Sequence, residues 1–304
     1  GGTGKNISLV TTGAGNITID NVTAAGDLIT VTAAGAIDEA PTTDAGADIV
    51  AATIDLNAAT GIGATRSLEV TAGSITADTT GGDIDIDSLA TTAVTLASAT
   101  TGFGSIRFDQ TGGHALTVTL GTTTDGDIIV TNAGGNLTVT TVNAAGSGRD
   151  VTLTTTGSGN ITIASVTADD QVTVTSAGAI NDSTTTDTTA EITAVTIDLN
   201  AVTGIGATRS LDVTAESITA DTTNGNMDID SMAMAAVTLA SATTGTGSIQ
   251  FDQTGGQALT VTLSTTADGG IAITNDGDLN GLTISAGGTG KNISLVTTGA
   301  GNIT

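Results

Sequence analysis

Four aspartates carry the spacing in this chain that could support chemistry. Asp85 and Asp87 alternate with isoleucine in the segment at 83–87, and the pair recurs as Asp228 and Asp230. In a β-strand, alternate side chains share one face, so the two carboxylates of each pair are expected about 6.5–7 Å apart. Such carboxylates can act as acid and base in glycoside cleavage, associate with Ca²⁺, or simply form a solvated acidic face.

Catalysis is the interpretation that the rest of the chain favours least. Polysaccharide-cleaving enzymes that use strand-borne carboxylates have one cleft, usually with basic and aromatic residues for the sugar. This chain has 6 basic residues and no Trp or Tyr, and Asp83 is replaced by Asn226 in the second segment. We therefore predict that the chain is not an enzyme and requires no cofactor. Ca²⁺, if bound, is expected at Asp85, Asp87, Asp228 and Asp230, where it would stabilise rather than catalyse.

Two other features suggest chemistry only superficially. The segment 287–292 is similar to a phosphate-binding loop, but Ser285 and Asn292 stand where that motif requires Gly and Ser or Thr. We interpret Lys291 as a basic residue at a turn. His114 is the only histidine and its counterpart in the second segment is Gln257, so a surface turn position is expected.

The elements that position these residues belong to a tandem repeat. Residues 1–18 recur unchanged at 287–304, and residues 61–120 match 204–263 at 49 of 60 positions. The shifts of 286 and 143 residues define two copies, 1–143 and 144–286, and the start of a third at 287–304. Such arrays stack like on like and usually serve as spacers or fibres.

Strict alternation of apolar and polar residues, as at 115–120 and 172–175, predicts short half-buried strands. A Gly-x-Ile motif returns near every 20 residues, within the longer repeat. An immunoglobulin-type sandwich would also give short strands, but its core usually contains buried Trp and Tyr. We predict an all-β fold, a right-handed parallel β-helix (β-solenoid) with coils of about 20 residues, continuous over residues 1–304.

This fold predicts where individual residues point. Thr and Asp should face outward and Ile, Val and Leu inward, with Phe108 and Phe251 stacked in the core. Arg66 and Arg209, at equivalent places, should pair with an Asp of a neighbouring coil. The segments 38–48 and 181–191 lack alternation and differ between copies, so they are expected to protrude as loops.

Composition limits the partners. A net charge of −25 argues against nucleic acid, since phosphate binding requires clustered Lys and Arg. No apolar run reaches the ~20 residues of a membrane helix, so no membrane insertion is expected. The expected partners are further copies of the repeat, in the same chain or end to end, and the sequence indicates no particular receptor. As part of a longer array, the chain should continue Ile-Asp-Asn-Val after Thr304, as it does after Thr18.

The strand openings and turns also resemble a known family. Gly-Asn-Ile-Thr-Ile at 15–19 and Thr-Ala-Ala-Gly-Ala-Ile at 32–37 are similar to the filamentous-haemagglutinin-like β-helical repeats of bacterial surface proteins. The resemblance covers the whole chain and is compositional. It implies a right-handed β-helix, export to the cell surface, and a role in adhesion or as a stalk.

We therefore expect a structural segment of an extracellular bacterial fibre, filament or adhesin stalk. The main alternative is a binding module such as an ice-binding β-solenoid, because Thr-x-Thr occurs at 30–32, 117–119, 138–140, 173–175 and 260–262. Ice binding requires Thr-x-Thr on consecutive coils of a flat face, and irregular coil lengths argue against it. A polysaccharide-cleaving β-helix enzyme is the third possibility.

Overall fold

The computed structural model describes residues 4–41, 46–183 and 189–304. Every regular element in these ranges is a β-strand, and the strands of successive coils pair in parallel. The chain divides into two compact units, Gly1–Gly157 (unit 1) and Ser158–Thr304 (unit 2). The predicted parallel β-solenoid is confirmed, with about 13 turns in all and coils about 22 residues apart. Its right-handedness stays a prediction.

The strands are short, as the alternating pattern predicts. In unit 1 they are β1 Ile7–Val10, β2 Ile17–Ile19, β3 Val22–Ala33, β4 Ile37–Glu39, β5 Ile49–Ala58, β6 Leu68–Thr71, β7 Ser74–Thr79, β8 Ile84–Ser88, β9 Val94–Phe103, β10 Ile106–Gln110, β11 Leu116–Asp125, β12 Ile128–Ala133, β13 Leu137–Ala144 and β14 Val151–Thr156. In unit 2 they are β15 Ile161–Ile163, β16 Val166–Ala168, β17 Gln171–Ser176, β18 Ala179–Asp182, β19 Ile192–Thr193, β20 Thr196–Ala201, β21 Gly204–Ile205, β22 Leu211–Thr214, β23 Ser217–Asn224, β24 Met227–Ser231, β25 Val237–Thr246, β26 Ile249–Gln253, β27 Leu259–Val261, β28 Ser264–Asp268, β29 Ile271–Asn275, β30 Leu279–Gly281, β31 Ile284–Ala286 and β32 Ile293–Thr297.

Apolar residues stack in register along two ladders in unit 1. Ladder one runs through Ile7, Ile29, Ile54, Ile75, Leu96, Val118 and Val139. Ladder two runs through Ile17, Ile37, Ile62, Ile84, Ile106, Ile128 and Val151. The residues between the two ends of each ladder are 0–1% exposed. Burial of like residues on one another lets each coil stack on the preceding one.

The two ladders show that the sequence repeat and the coil have different periods. Ile7 aligns with Val151 at a shift of 144 residues, because the alignment of the two copies slips by one residue. Ile7 nevertheless lies on ladder one and Val151 on ladder two. Unit 2 shows the same relation within itself. Ile161 and Ile303 each follow a Gly-Asn pair, but they lie on different ladders. The ladder of Ile161 continues through Ile180, Ile205, Met227, Ile249, Ile271 and Ile293. The ladder of Ile303 consists of Val237, Leu259, Leu279 and Ile303.

Not every Thr faces outward, so that prediction is wrong for one set. Thr79, Thr101 and Thr123 stack in register, and each is at most 8% exposed. The hydroxyls of Thr79 and Thr101 donate to the Gly82 carbonyl at 3.1 and 3.0 Å, and Thr123 donates to the Gly126 carbonyl at 2.7 Å. Carbonyls at the turns need donors where water does not reach, and an inward Thr supplies one.

The predictions for the aromatic residues and the loops have different outcomes. Phe108 and Phe251 are at most 1% exposed, as predicted. The expected loops 38–48 and 181–191 are shorter than predicted, since β4 extends to Glu39 and β18 to Asp182. Residues 42–45 and 184–188 of these two segments lie outside the described residues. The far ends of both segments, Asp48 and Glu191, are only 1% exposed.

Candidate carboxylate sites

The predicted aspartate pairs occupy the outer face of strands β8 and β24. In β8 the buried residues Ile84, Ile86 and Ser88 alternate with half-buried Asp85 and Asp87. Asp228 and Asp230 have the same half-buried places in β24. The alternation therefore places each pair on one strand face, as predicted.

A basic residue from the next coil distinguishes the first pair from the second. Arg107 of β10 is in register with Asp85, and its Nε lies 3.8 Å from Asp85 Oδ1. The same guanidinium binds Asp109 Oδ2 through Nη2 at 2.5 Å. In unit 2 the place of Arg107 is taken by Gln250, which is in register with Asp228 and donates to Asp252 Oδ2 at 3.3 Å.

This difference changes the electrostatics of the two aspartates. Burial raises the pKa of Asp85, while the nearby Arg107 opposes that rise. Burial and, to a smaller extent, the carboxylates of Asp230 and Asp252 together raise the pKa of Asp228 to about 6. A cation beside Asp228 would therefore favour its charged form.

The structure also aligns carboxylates that the sequence pattern did not reveal. Asp87 is in register with Glu69 on one side and Asp109 on the other, and the Asp48 amide donates to the Glu69 carbonyl at 2.7 Å. We call Asp48, Glu69, Asp87 and Asp109 the acidic ladder of unit 1. Unit 2 has its own acidic ladder, Glu191, Asp212, Asp230 and Asp252. Neighbouring strands lie about 4.8 Å apart, so the charges of each ladder repel one another.

One end of the acidic ladder in unit 1 gathers three carboxylates. Glu39, Asp48 and Glu69 each place one carboxylate oxygen within 4.8 Å of the others, and we call these residues the carboxylate cluster. Glu39 ends β4, Asp48 directly precedes β5, and Glu69 lies in β6. The Glu69 amide donates to Asp48 Oδ2 at 3.0 Å, which fixes the Asp48 side chain.

The carboxylate cluster is costly to keep charged. Asp48 is 1% exposed, and burial raises its pKa to about 7, with further contributions from Glu69 and Glu39. Burial also raises the pKa of Glu69. Asp48 Oδ1 is buried and has no hydrogen-bond partner. A buried carboxylate oxygen in this state requires a proton or a cation close by.

Unit 2 has acids at the three equivalent sequence positions, with each acid exchanged for the other type. The counterparts of Glu39, Asp48 and Glu69 are Asp182, Glu191 and Asp212. The Asp212 amide donates to Glu191 Oε2 at 2.9 Å, which matches the bond between Glu69 and Asp48. Here a cation is present, because Arg209 Nη1 lies 3.5 Å from the buried Asp182 Oδ2. The ion pair predicted for Arg209 is therefore confirmed.

The remaining predicted sites are ordinary surface positions. His114 is exposed in a bend, as predicted. Lys291 follows a turn and pairs with Asp268 Oδ1 at 3.1 Å, and its counterpart Arg149 pairs with Asp125 Oδ1 at 2.7 Å. The basic residue of the segment similar to a phosphate loop is thus engaged by a carboxylate of the preceding coil.

Comparison with known proteins gives no relative, since neither a family model nor a curated protein nor a solved structure matches the chain. Among the residues that the structure describes, no helix has the length and apolar character to cross a membrane.

Proposed function

We propose that the chain is a non-enzymatic structural segment of an extracellular bacterial fibre, filament or adhesin stalk. The proposal rests on a comparison of the two sequence copies, which shows the features that both retain and those in which they differ. They keep hydrogen bonds between coils and most acidic residues, and they differ at basic and other exposed residues of the outer faces.

The kept bonds lie inside the solenoid. Gln110, which is fully buried, donates from Nε2 to the Ala90 carbonyl at 3.1 Å. Its counterpart Gln253 donates to the Ala233 carbonyl at 2.9 Å. A chain whose repeated feature is the contact between coils is suited to bearing load along the coil axis.

The outer faces differ where a shared ligand site would need them alike. Arg107 is replaced by Gln250, and exposed His114 is replaced by Gln257. A catalytic or receptor site that both copies shared would retain such groups. The difference supports a structural role for the repeat as a whole.

The ice-binding alternative is weakened by the neighbours of the Thr-x-Thr segments. Thr117 and Thr138 do lie in register on consecutive coils. The segment at 30–32, however, faces Asp-Leu-Asn at 55–57, and the segment at 173–175 faces Asp-Leu-Asn at 198–200. Carboxylates and amides therefore interrupt the flat threonine surface that ice would require.

The structural role can be tested by measuring how much each added repeat lengthens the protein. A chain extended by one further 143-residue copy should be about 30 Å longer, since coils of about 22 residues advance by about 4.8 Å. Small-angle scattering or electron microscopy of both proteins measures this. Unchanged length would contradict the proposal.

Surface labelling and activity assays test the remaining parts. Antibodies raised against the purified protein should label intact cells of the bacterium that produces it. Thermal hysteresis in the purified protein would favour ice binding instead, and turnover of a polyuronate would establish an enzyme.

A further inference from the structure

The carboxylate cluster contains a buried carboxylate oxygen that has no hydrogen-bond partner. Its central residue, Asp48, is 1% exposed, and its Oδ1 is buried without a hydrogen-bond partner. Buried polar atoms in native proteins are nearly always satisfied by a partner, a water or an ion. Oxygens of Glu39 and Glu69 lie within 4.8 Å of Asp48, so the nearest candidates for a partner are themselves carboxylates.

We propose that Glu39, Asp48 and Glu69 form a divalent-cation site that binds Ca²⁺. Ca²⁺ takes carboxylate oxygens at about 2.3–2.6 Å in flexible geometry, so two of its ligands can lie up to about 5 Å apart. Three oxygens within 4.8 Å of one another fit that limit. Mg²⁺ demands about 2.0–2.1 Å and octahedral geometry, and Zn²⁺ prefers nitrogen or sulfur, so the donor set favours Ca²⁺.

In unit 2 one of the three equivalent acids is paired with a basic side chain. The three acids are all retained there, with Asp and Glu exchanged at every position. Arg209 reaches the first of them, Asp182, with Nη1 3.5 Å from Oδ2. In unit 2 a guanidinium therefore lies beside one of these acids.

The cation would join the end of β4 and the start of β5 to strand β6 of the next coil. Glu39 ends β4, Asp48 precedes β5 and Glu69 belongs to β6, so one ion ties two successive coils at their edge. Asp87, the next residue of the acidic ladder, adds negative charge without belonging to the site. Binding therefore relieves repulsion along the ladder and stabilises the coils.

Calorimetric titration of the full 304-residue protein with CaCl₂ in about 0.15 M NaCl tests this, since salt screens diffuse surface binding. We expect one saturable site and a higher melting temperature with Ca²⁺ than with EDTA. Asp48→Asn should weaken binding by about tenfold or more and remove the EDTA effect on melting. Glu39→Gln, at the half-buried end of β4, provides a second ligand variant if Asp48→Asn fails to fold.

The matched control is Asp83→Asn, which removes the same charge from an exposed position. Asn226 occupies the equivalent place in unit 2, and each side chain accepts a hydrogen bond from a backbone amide at 2.8 and 3.0 Å respectively. The control should bind Ca²⁺ like the unchanged protein. Equal binding in all variants would show diffuse association with acidic surface and overturn the proposal. The proposal would also be overturned if no saturable binding occurred and the melting temperature responded only to pH. That result would indicate a proton shared by Asp48 and Glu69.

Discussion

Arg107 lies in register with Asp85 on the adjacent coil, with 3.8 Å between Nε and Oδ1. The same place beside Asp228 is held by the neutral side chain of Gln250. The two copies thus differ by one cation at otherwise equivalent carboxylates. This difference makes the effect of a single charge on the outer face measurable.

Gln250→Arg should lower the pKa of Asp228 from about 6. In the unchanged protein, the folded Asp228 carboxyl holds its proton more tightly than the unfolded one, whose pKa is near 3.8. The free energy of unfolding therefore falls as pH rises from about 4 to 6. The substitution should reduce this fall by about 1 kcal/mol, allowing for solvent screening. Urea unfolding at several pH values, followed by circular dichroism, measures the difference.

The reverse substitution, Arg107→Gln, serves as the control. It should raise the pKa of Asp85 further and make stability fall more steeply over the acidic range. Identical pH profiles for the two variants and the unchanged protein would show that solvent screens these contacts completely.

Gly63→Ala should strongly destabilise the protein. Gly63 has φ of +65°, and an added Cβ would lie 2.1 Å from the Asp85 carbonyl oxygen, which belongs to the adjacent coil. Gly148→Ala is the matched control, because its φ is +72° but a Cβ there meets no atom within 4 Å. The control should lose about 1–2 kcal/mol through backbone strain alone, and Gly63→Ala more than about 3 kcal/mol. Equal losses in chemical unfolding would rule out the steric contribution.

Phe108→Ala should cost about 3–5 kcal/mol of unfolding free energy, because it empties a packed position of the bore. Phe108 is 1% exposed, whereas Phe103 is 68% exposed. Phe103→Ala, the control, should change stability by no more than about 0.5 kcal/mol. Guanidinium unfolding compares them, and similar losses would contradict the inward stacking of Phe108.

Thr101→Val should destabilise the protein by about 1–2 kcal/mol despite its similar shape. The buried hydroxyl donates to the Gly82 carbonyl at 3.0 Å, and valine leaves that carbonyl with one donor fewer. Thr117→Val provides the comparison, since Thr117 alternates with buried Leu116 and Val118 on β11 and therefore faces outward. Thermal melting of both variants should show the loss only for Thr101.

Local patterns in the sequence were sufficient for the strands and the fold. Alternation at 83–87 predicts strand β8 and the shared face of Asp85 and Asp87, because side-chain direction depends only on neighbouring residues. The direction of Thr101 was predicted wrongly, since the composition of a strand does not show which hydroxyl reaches a turn carbonyl.

The carboxylate cluster was missed for a different reason. Asp48 and Glu69 are brought together by pairing between coils, and the coils vary in length, so no constant spacing marks them. Asp48 also lies in a segment interpreted as a protruding loop, whereas it is 1% exposed. Only the register of the strands relates it to Glu39 and Glu69.

The positions of Ile7 and Val151 on different ladders limit how the repeat can be duplicated to lengthen the chain. One sequence repeat therefore does not contain a whole number of coils, so a single duplication moves equivalent residues to a different side of the coil. The unchanged recurrence of residues 1–18 at 287–304 has twice the period of the shorter repeat, so the block that the sequence copies exactly is a pair of repeats.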